Sequence, residues 1–408
     1  MKCRHCGTPL ALTLIDLGSA PQSNAYLSRD GLEKPERWYP LRVRVCERCW
    51  LVQTQDFADA HELFDGEYAY FSSFSRTWVE HAQRYVNAMS ERLSLDGSSM
   101  IVEVASNDGY LLQHVKTRGI PCLGIEPTAS TAAAARAKGI EVVEDFFGEV
   151  LGRRLASEGR AADLTVANNV LAHVPDINDF LRGFTALLRP QGAATFEFPH
   201  LLRLLEGVQF DTIYHEHFSY LGMLAVDRIM RAAGLVPFRV QELPTHGGSL
   251  RVFAQRADTG TRPADGSVER MLGRERDAGL GSAARYACFQ AEAERVRDDL
   301  LSFLIESKRA GRTVAAYGAA AKGNTLLNFA GVRPDLVRYV VDLNPAKQGK
   351  FMPGSRIPIV GPDELGRRRP DDLLVLPWNL LGEVRAQNEW LARLGTRFVV
   401  AVPRLATA

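Results

Sequence analysis

The run Met100-Ile-Val-Glu103-Val-Ala-Ser-Asn107-Asp-Gly109-Tyr110 decides the fold. Its apolar start, residues 100–105, has the length of a buried strand, and Asn107-Asp108-Gly109 is turn chemistry leading into a helix over 110–118. The alternation then repeats. A second strand, 122–125, ends in Glu126-Pro127, and the alanine-rich stretch 130–138 is helical. A short third strand, 141–143, ends at Glu144-Asp145, and a fourth, 162–167, ends at Asn168-Asn169. A helix over 176–188 and a strand over 193–198 follow, and 238–243 with 249–254 close the sheet as a hairpin across Gly247-Gly248. Strands alternating with helices predict a parallel, doubly wound sheet whose ligands lie outside the carboxyl ends of the strands.

A second unit of the same kind starts at Thr313, with strand 314–317, the loop Gly318-Ala-Ala-Ala-Lys322-Gly-Asn324 and a helix to Phe329. Strand 337–341 ends at Asp342, and later strands run near 373–376 and 398–402. Residues 269–309 read as a charged, alanine-rich helical connector. Residues 1–70 hold few periodic apolar runs and many turn formers, so a metal-stapled module fits them better than an independent core. A helix over 75–95 follows, with Trp78, His81, Ala82, Tyr85 and Met89 at helical spacing. The expected fold class is α/β, with two doubly wound Rossmann-like domains (71–260 and 261–408) behind a small N-terminal zinc module (1–70).

The 408 residues suffice for two to three domains at roughly 150 residues each. Lys and Arg number 49 against 48 Asp and Glu, a net +1, which argues against nucleic acid or an anionic membrane as the main partner. No stretch reaches about eighteen consecutive apolar residues, and the N-terminus has no apolar signal region, so the expectation is a cytoplasmic protein, by default a monomer.

Four of six cysteines form two doublets, Cys3-x-x-Cys6 and Cys46-x-x-Cys49. A two-residue gap suits two thiolates bending onto one tetrahedral ion, and a redox dithiol needs only one doublet. Four sulfur ligands leave no open position, so the expected metal is structural zinc. Gly7 follows the first knuckle, and the 39 residues between the doublets must make an excursion. Cys122 and Cys288 stand alone and read as small buried hydrophobes.

Three carboxylates mark successive strand ends in the first sheet. Glu103 leads into a loop with a single glycine, Gly109, where a pyrophosphate fingerprint needs three. An acid there repels phosphate but accepts from an ammonium group; Glu126, 23 residues on, is placed for ribose hydroxyls, and Asp145 for an adenine amino group. The set suits S-adenosylmethionine better than a dinucleotide. Further on, Phe210-Asp-Thr-Ile-Tyr214-His215-Glu216-His217 gathers two histidines, a glutamate and a tyrosine. The spacing of His215 and His217 is poor for a metal, and acid–base work around one imidazole is the better reading.

These residues resemble the sugar C-methyltransferases that install a branch methyl on nucleotide-linked deoxysugars, such as those en route to tetronitrose, mycarose or noviose. The resemblance covers nearly the whole chain. It rests on both cysteine doublets, Tyr68-Ala-Tyr-Phe-Ser-Ser-Phe-Ser75, Val102 to Gly109, Asn168-Asn-Val-Leu-Ala-His173 and Tyr214-His-Glu-His217. It continues through His246-Gly-Gly-Ser-Leu-Arg251, Tyr317 to Asn324, Val341-Asp-Leu-Asn-Pro-Ala-Lys347-Gln-Gly349 and Leu376-Pro-Trp378-Asn379. It implies a class I methyltransferase core that holds S-adenosylmethionine through Glu103, Asn107, Gly109, Glu126, Asp145, Asn168 and Asn169. It further implies His217 as the base, with Tyr68, His173, Tyr214 and Glu216 around a nucleotide-linked 4-keto-deoxysugar, methylated at C3 in preference to C5. In the C-terminal unit small residues let backbone amides approach a diphosphate, with Lys322 as countercharge and Tyr317, Asn324, Asp342, Lys347, Trp378 and Asn379 completing the substrate site. An NAD-dependent sugar oxidoreductase would need a three-glycine turn, which neither sheet shows, and an RNA methyltransferase a basic stripe, against which the near-zero charge speaks. A non-catalytic nucleotide-sugar binder or scaffold on the same fold is opposed by the presence of every acid–base residue together.

Overall fold

The computed structural model describes residues 1–55, 57 and 71–407, so Tyr68 lies outside the described residues. Strands are numbered in chain order. The N-terminal residues form three strands that the sequence reading did not place: β1 (Leu12–Ala20), β2 (Tyr39–Val45) and β3 (Val52–Thr54). In β2, Leu41, Val43 and Val45 are buried while Arg42 and Arg44 stay on the outer face, the period-two pattern of a half-buried strand. These strands pair antiparallel, and a two-residue strand from the middle of the chain, β9 (Ser219–Tyr220), completes their sheet. The module is therefore more than a metal staple.

The central sheet has seven strands. From one edge these are β10 (Leu235–Leu243), β11 (Ser249–Arg256), β8 (Leu188–Pro199), β7 (Ala162–Asn168), β4 (Ile101–Val104), β5 (Cys122–Ile125) and β6 (Glu141–Val143). β11 runs antiparallel to both neighbours, and β8, β7, β4, β5 and β6 pair in parallel. β4 is buried at every position, as a central parallel strand must be. The strand order reverses between β4 and β7, which opens a crevice at their carboxyl ends.

The last sheet has the order β14 (Ile359–Val360), β13 (Val340–Val341), β12 (Val314–Tyr317), β15 (Asp372–Val375), β16 (Arg397–Val400) and β17 (Ala406–Thr407), parallel except for the final strand. The connector expected as helical over 269–309 is three helices, Ser267–Asp277, Ala283–Ala287 and Phe289–Arg309; Gly279, at φ 84°, ends the first run. Cys288 is exposed and Cys122 half-buried, so neither is the buried hydrophobe their isolation suggested.

Glu275 on the first connector helix ties the central unit together. Fully buried, it accepts from the backbone N–H groups of Met223 and Leu224 (2.6 and 2.7 Å) and lies 2.7 Å from His200 Nε2. The two amides open the helix Met223–Ala232, where a carboxylate opposes the positive end of the dipole. Glu275→Ala strands these donors in an apolar interior and is expected to cost about 3 kcal/mol, read as a lower urea midpoint at unchanged slope.

Candidate active site

The two cysteine doublets fold as the same turn. Gly7 and Trp50, each following a second cysteine, take left-handed φ (71° and 64°) and donate to the carbonyls of Cys3 and Cys46 (2.9 and 2.8 Å). Glycine adopts this conformation freely; Trp50 is held in it while stacked on Tyr286, with ring centroids 6.1 Å apart. The four Sγ atoms converge within 4.8 Å, with Cys3–Cys49 and Cys6–Cys46 each at 3.5 Å. Sulfurs at a tetrahedral zinc lie about 3.8 Å apart for Zn–S of about 2.3 Å, so Cys3, Cys6, Cys46 and Cys49 fit zinc with no position left for chemistry. Gln53 donates to Cys3 Sγ at 3.3 Å, orienting the ligand from outside.

The loop after β4 wraps the crevice of the central sheet. Ala105, Asn107 and Gly109 have φ of 57°, 50° and 76°, so the backbone takes at alternate positions a shape that glycine adopts most freely. A Cβ on Gly109 would sit 2.4 Å from Ile140. Glu126 closes the loop by accepting from Asn107 N (2.9 Å) and Thr128 N (3.0 Å), and burial raises its pKa. Glu103 is fully buried; burial first, then the Glu126 and Asp108 carboxylates, push it well above the usual carboxylate range, with the Tyr110 hydroxyl opposing. Both amide atoms of Asn168 are unpartnered among the described residues, and Glu103 beside it meets the Tyr110 hydroxyl. Buried polar atoms left open at strand ends suit a polar ligand there. Asn169, at φ 54°, donates to His246 Nε2 at 2.8 Å. Asp145 stands at the rim, its side chain 52% exposed and 4.0 Å from Arg154.

His217 lies deeper, after the tight turn Phe210–Thr212. Its Nδ1 sits 2.8 Å from the Thr212 carbonyl oxygen, which can only accept, so Nδ1 carries the proton and Nε2 keeps a lone pair. The Tyr214 ring packs at 3.9 Å and the His173 ring edge-on at 4.6 Å. Burial, then the charges of His173, His246 and Lys322, hold His217 well below its ordinary pKa. Burial likewise takes His173 down to about 4. His215 points away: its Nε2 meets the Tyr39 carbonyl at 3.3 Å, toward the N-terminal sheet. Glu216 is buried and pushed up to about 7, its Oε1 accepting from Asn24 at 2.7 Å.

Several residues at the site carried no local signal. Asn24 and Tyr26 come from the excursion between the cysteine doublets, and the Tyr26 hydroxyl donates to the Ala319 carbonyl at 2.6 Å. Asp211 is buried, which raises it to about 6, and it accepts from Trp378 Nε1 at 2.8 Å. Glu197, fully buried at the end of β8, takes His81 (2.9 Å), Arg251 (2.6 Å) and Thr245 (3.1 Å). Against the cost of burial, His81 and Arg251 hold its pKa below the usual value. Trp78 stacks on His81 at 4.9 Å and tilts against His246 at 5.1 Å.

The C-terminal residues divide. Lys322 donates to Asn379 Oδ1 at 2.7 Å and lies 4.9 Å from the Trp378 ring centroid. Lys347 donates to the Ala319 carbonyl at 2.8 Å, 3.8 Å from Asp342, and burial lowers its pKa. Asp342 accepts from Ala319 N and Asn344 N (2.7 and 2.8 Å), and Asn324 is fully buried with its amide unpartnered among the described residues. Tyr317 packs with Tyr339 and Val375 on the opposite face of its sheet from Ala316.

Three family models match consecutive stretches: "Putative zinc binding domain" over residues 3–64, a methyltransferase domain over 78–239 and a C-methyltransferase C-terminal domain over 244–403. Fold and site thus define a methyltransferase with a zinc module. The chain is 35% identical to C-methyltransferase NovU of Streptomyces niveus over 404 residues, 98% of this chain and 95% of that protein. It belongs to this C-methyltransferase family. Among solved structures, a 1,6-didemethyltoxoflavin-N1-methyltransferase of Burkholderia thailandensis is 18% identical, covering 51% of this chain and 96% of its own, with a TM-score of 0.38. An S-adenosylmethionine-dependent methyltransferase of Clostridium acetobutylicum is 10% identical, covering 45% and 92%, with a TM-score of 0.36.

Replacing Cys46 by Ser is expected to remove about one zinc per chain, measured by elemental mass spectrometry, and to lower the melting temperature.

Proposed function

We propose that the protein methylates a nucleotide-linked 4-keto-deoxysugar at the carbon beside the ketone, C3 in preference to C5. The observation that carries this reading is His217. A neutral imidazole, its Nδ1 proton spent on the Thr212 carbonyl and its lone pair therefore on Nε2, is what removal of a C–H proton requires. A ring carbon is not nucleophilic until that proton leaves, and the ketone makes it removable. S-adenosylmethionine, the proposed donor, supplies an electrophilic sulfonium methyl. Glu103 and Asn168 would meet its amino-acid end, the second lone pairs of Glu126 its ribose, and Asp145 the adenine edge. Asn107, Gly109 and Asn169 shape the cradle.

His173, Tyr214 and Glu216, together with Tyr68, would surround the sugar ring. The loop amides of 318–321 with Lys347 would meet the diphosphate and Asp342 the ribose, with Tyr317 and Asn324 beside them, while Trp378 and Asn379, which carry Lys322, would line the sugar end. On this reading residues 1–70 position the sugar from one side, 71–260 hold the donor and 261–408 hold the nucleotide.

Mass spectrometry of nucleotide-linked 4-keto-deoxysugars, incubated with protein and S-adenosylmethionine in deuterated water, tests the reading. A product heavier by one methylene is the expected outcome; bound ligands with neither methyl gain nor deuterium uptake would refute it. His217→Asn should reduce turnover by at least about a hundredfold while leaving donor affinity unchanged. Because the folded pKa of His217 lies well below 6.5, the base stays neutral as pH falls. The imidazole of His217 should therefore stay unprotonated from pH 8 to about 6, read as a ring C–H proton resonance that does not shift over that range, where an ordinary histidine with pKa about 6.5 would already be mostly protonated.

A further inference from the structure

Lys322 occupies a costly place. It lies in the first turn of the helix Ala321–Phe329, where the helix dipole is positive, and burial pulls its pKa down. The fold nevertheless fixes it firmly. Asn379 takes one of its N–H bonds, the Trp378 ring lies beneath the ammonium, and the Asp211 carboxylate offsets its charge. Trp378 in turn donates to Asp211 at 2.8 Å, so the three supporting residues form one connected set. Asp211 precedes Thr212, whose carbonyl holds His217. The ammonium is thus tied to the segment that carries the base, and its charge weighs on both His217 and His246.

Asp211 is the one carboxylate of that set that answers the positive charge, and it is itself engaged by the Trp378 N–H. Lys347 stands apart from the set, beside Asp342 and Tyr26 at the Ala319 carbonyl. Resting on the C-methylation reading above, we propose that Lys322 is a catalytic residue that donates a hydrogen bond to the substrate's ketone oxygen as His217 removes the neighbouring proton, rather than a clamp on the diphosphate. The C–H proton passes to Nε2, the C–H electron pair becomes the C=C bond, and the carbonyl π pair moves onto oxygen. Lys322 keeps its proton and stabilises that oxyanion in a dry site, where a preplaced cation needs no reorganisation. The carbonyl then re-forms as the carbon bonds to the methyl, the C–S pair leaves with sulfur as a thioether, and His217 releases its proton to water.

The test separates enolate formation from methyl transfer and from nucleotide binding. Deuterium wash-in is followed with S-adenosylhomocysteine in place of the donor, and the affinity for the free nucleoside diphosphate is measured in parallel. Lys322→Met should slow wash-in by about 10²–10³ while nucleoside diphosphate affinity changes less than about twofold. Lys322→Arg should restore part of the rate, and Asn379→Ala, which keeps the lysine but loosens it, should cost about tenfold. Wash-in at the wild-type rate in Lys322→Met, or a loss of nucleoside diphosphate affinity as large as the loss of rate, overturns the role of Lys322 and leaves C-methylation standing. No wash-in by the wild-type protein with any methylated substrate overturns the enolate reading itself, and the role of Lys322 with it.

Discussion

The largest apolar core of the molecule belongs to none of its three parts alone. Leu14, Ile15 and Val43 enter it from the N-terminal sheet, Leu201, Phe210 and Ile213 from the central unit, and Leu300, Leu304, Val314 and Leu326 from the last. Phe210 and Ile213 are fully buried there, on either side of Asp211 and Thr212. Those two polar residues hold Trp378 and His217 respectively. A close-packed interior cannot shift by fractions of an ångström without cost, so packing between the parts sets the geometry of the base.

The same burial tunes the chemistry. Taking ionisable groups out of water lowers His217, His173 and His246 and raises Glu216 and Asp211, so the cleft holds neutral imidazoles beside acids poised near neutrality. Glu197 stays ionised in the same surroundings because His81 and Arg251 face it directly. Burial opposes every charge in the cleft; the partner each group meets decides which charges survive.

Much of the central unit was legible because its chemistry sits at strand ends, where local alternation places it. Glu103, Glu126 and Asn168 fall where the β-α pattern puts them, and strand 314–317 matches β12 residue for residue. The N-terminal strands were obscured by the arginines of their outer face and by the brevity of β3, whose last neighbour, β9, lies far along the chain. Asn24 escaped notice for a similar reason, since its partner Glu216 is 192 residues away. Asp211 was in plain view within the quoted run, but its significance depends on Trp378, 167 residues later.

The amino-acid sequence by itself determined the zinc ligands, the alternation that builds the two parallel sheets, the acids at their strand ends and the kinship with C-methyltransferases. The first three follow from residue type and spacing over short stretches, where local stereochemistry governs; the kinship rests on the resemblance of motifs along nearly the whole chain. Only the tertiary structure decided which nitrogen of His217 carries the proton, that His215 faces away, that Lys322 sits over the Trp378 ring whose N–H meets Asp211, and that one core joins all three parts. A tautomer, a pKa and a charge partner depend on burial and on groups remote in sequence, and no local pattern contains either.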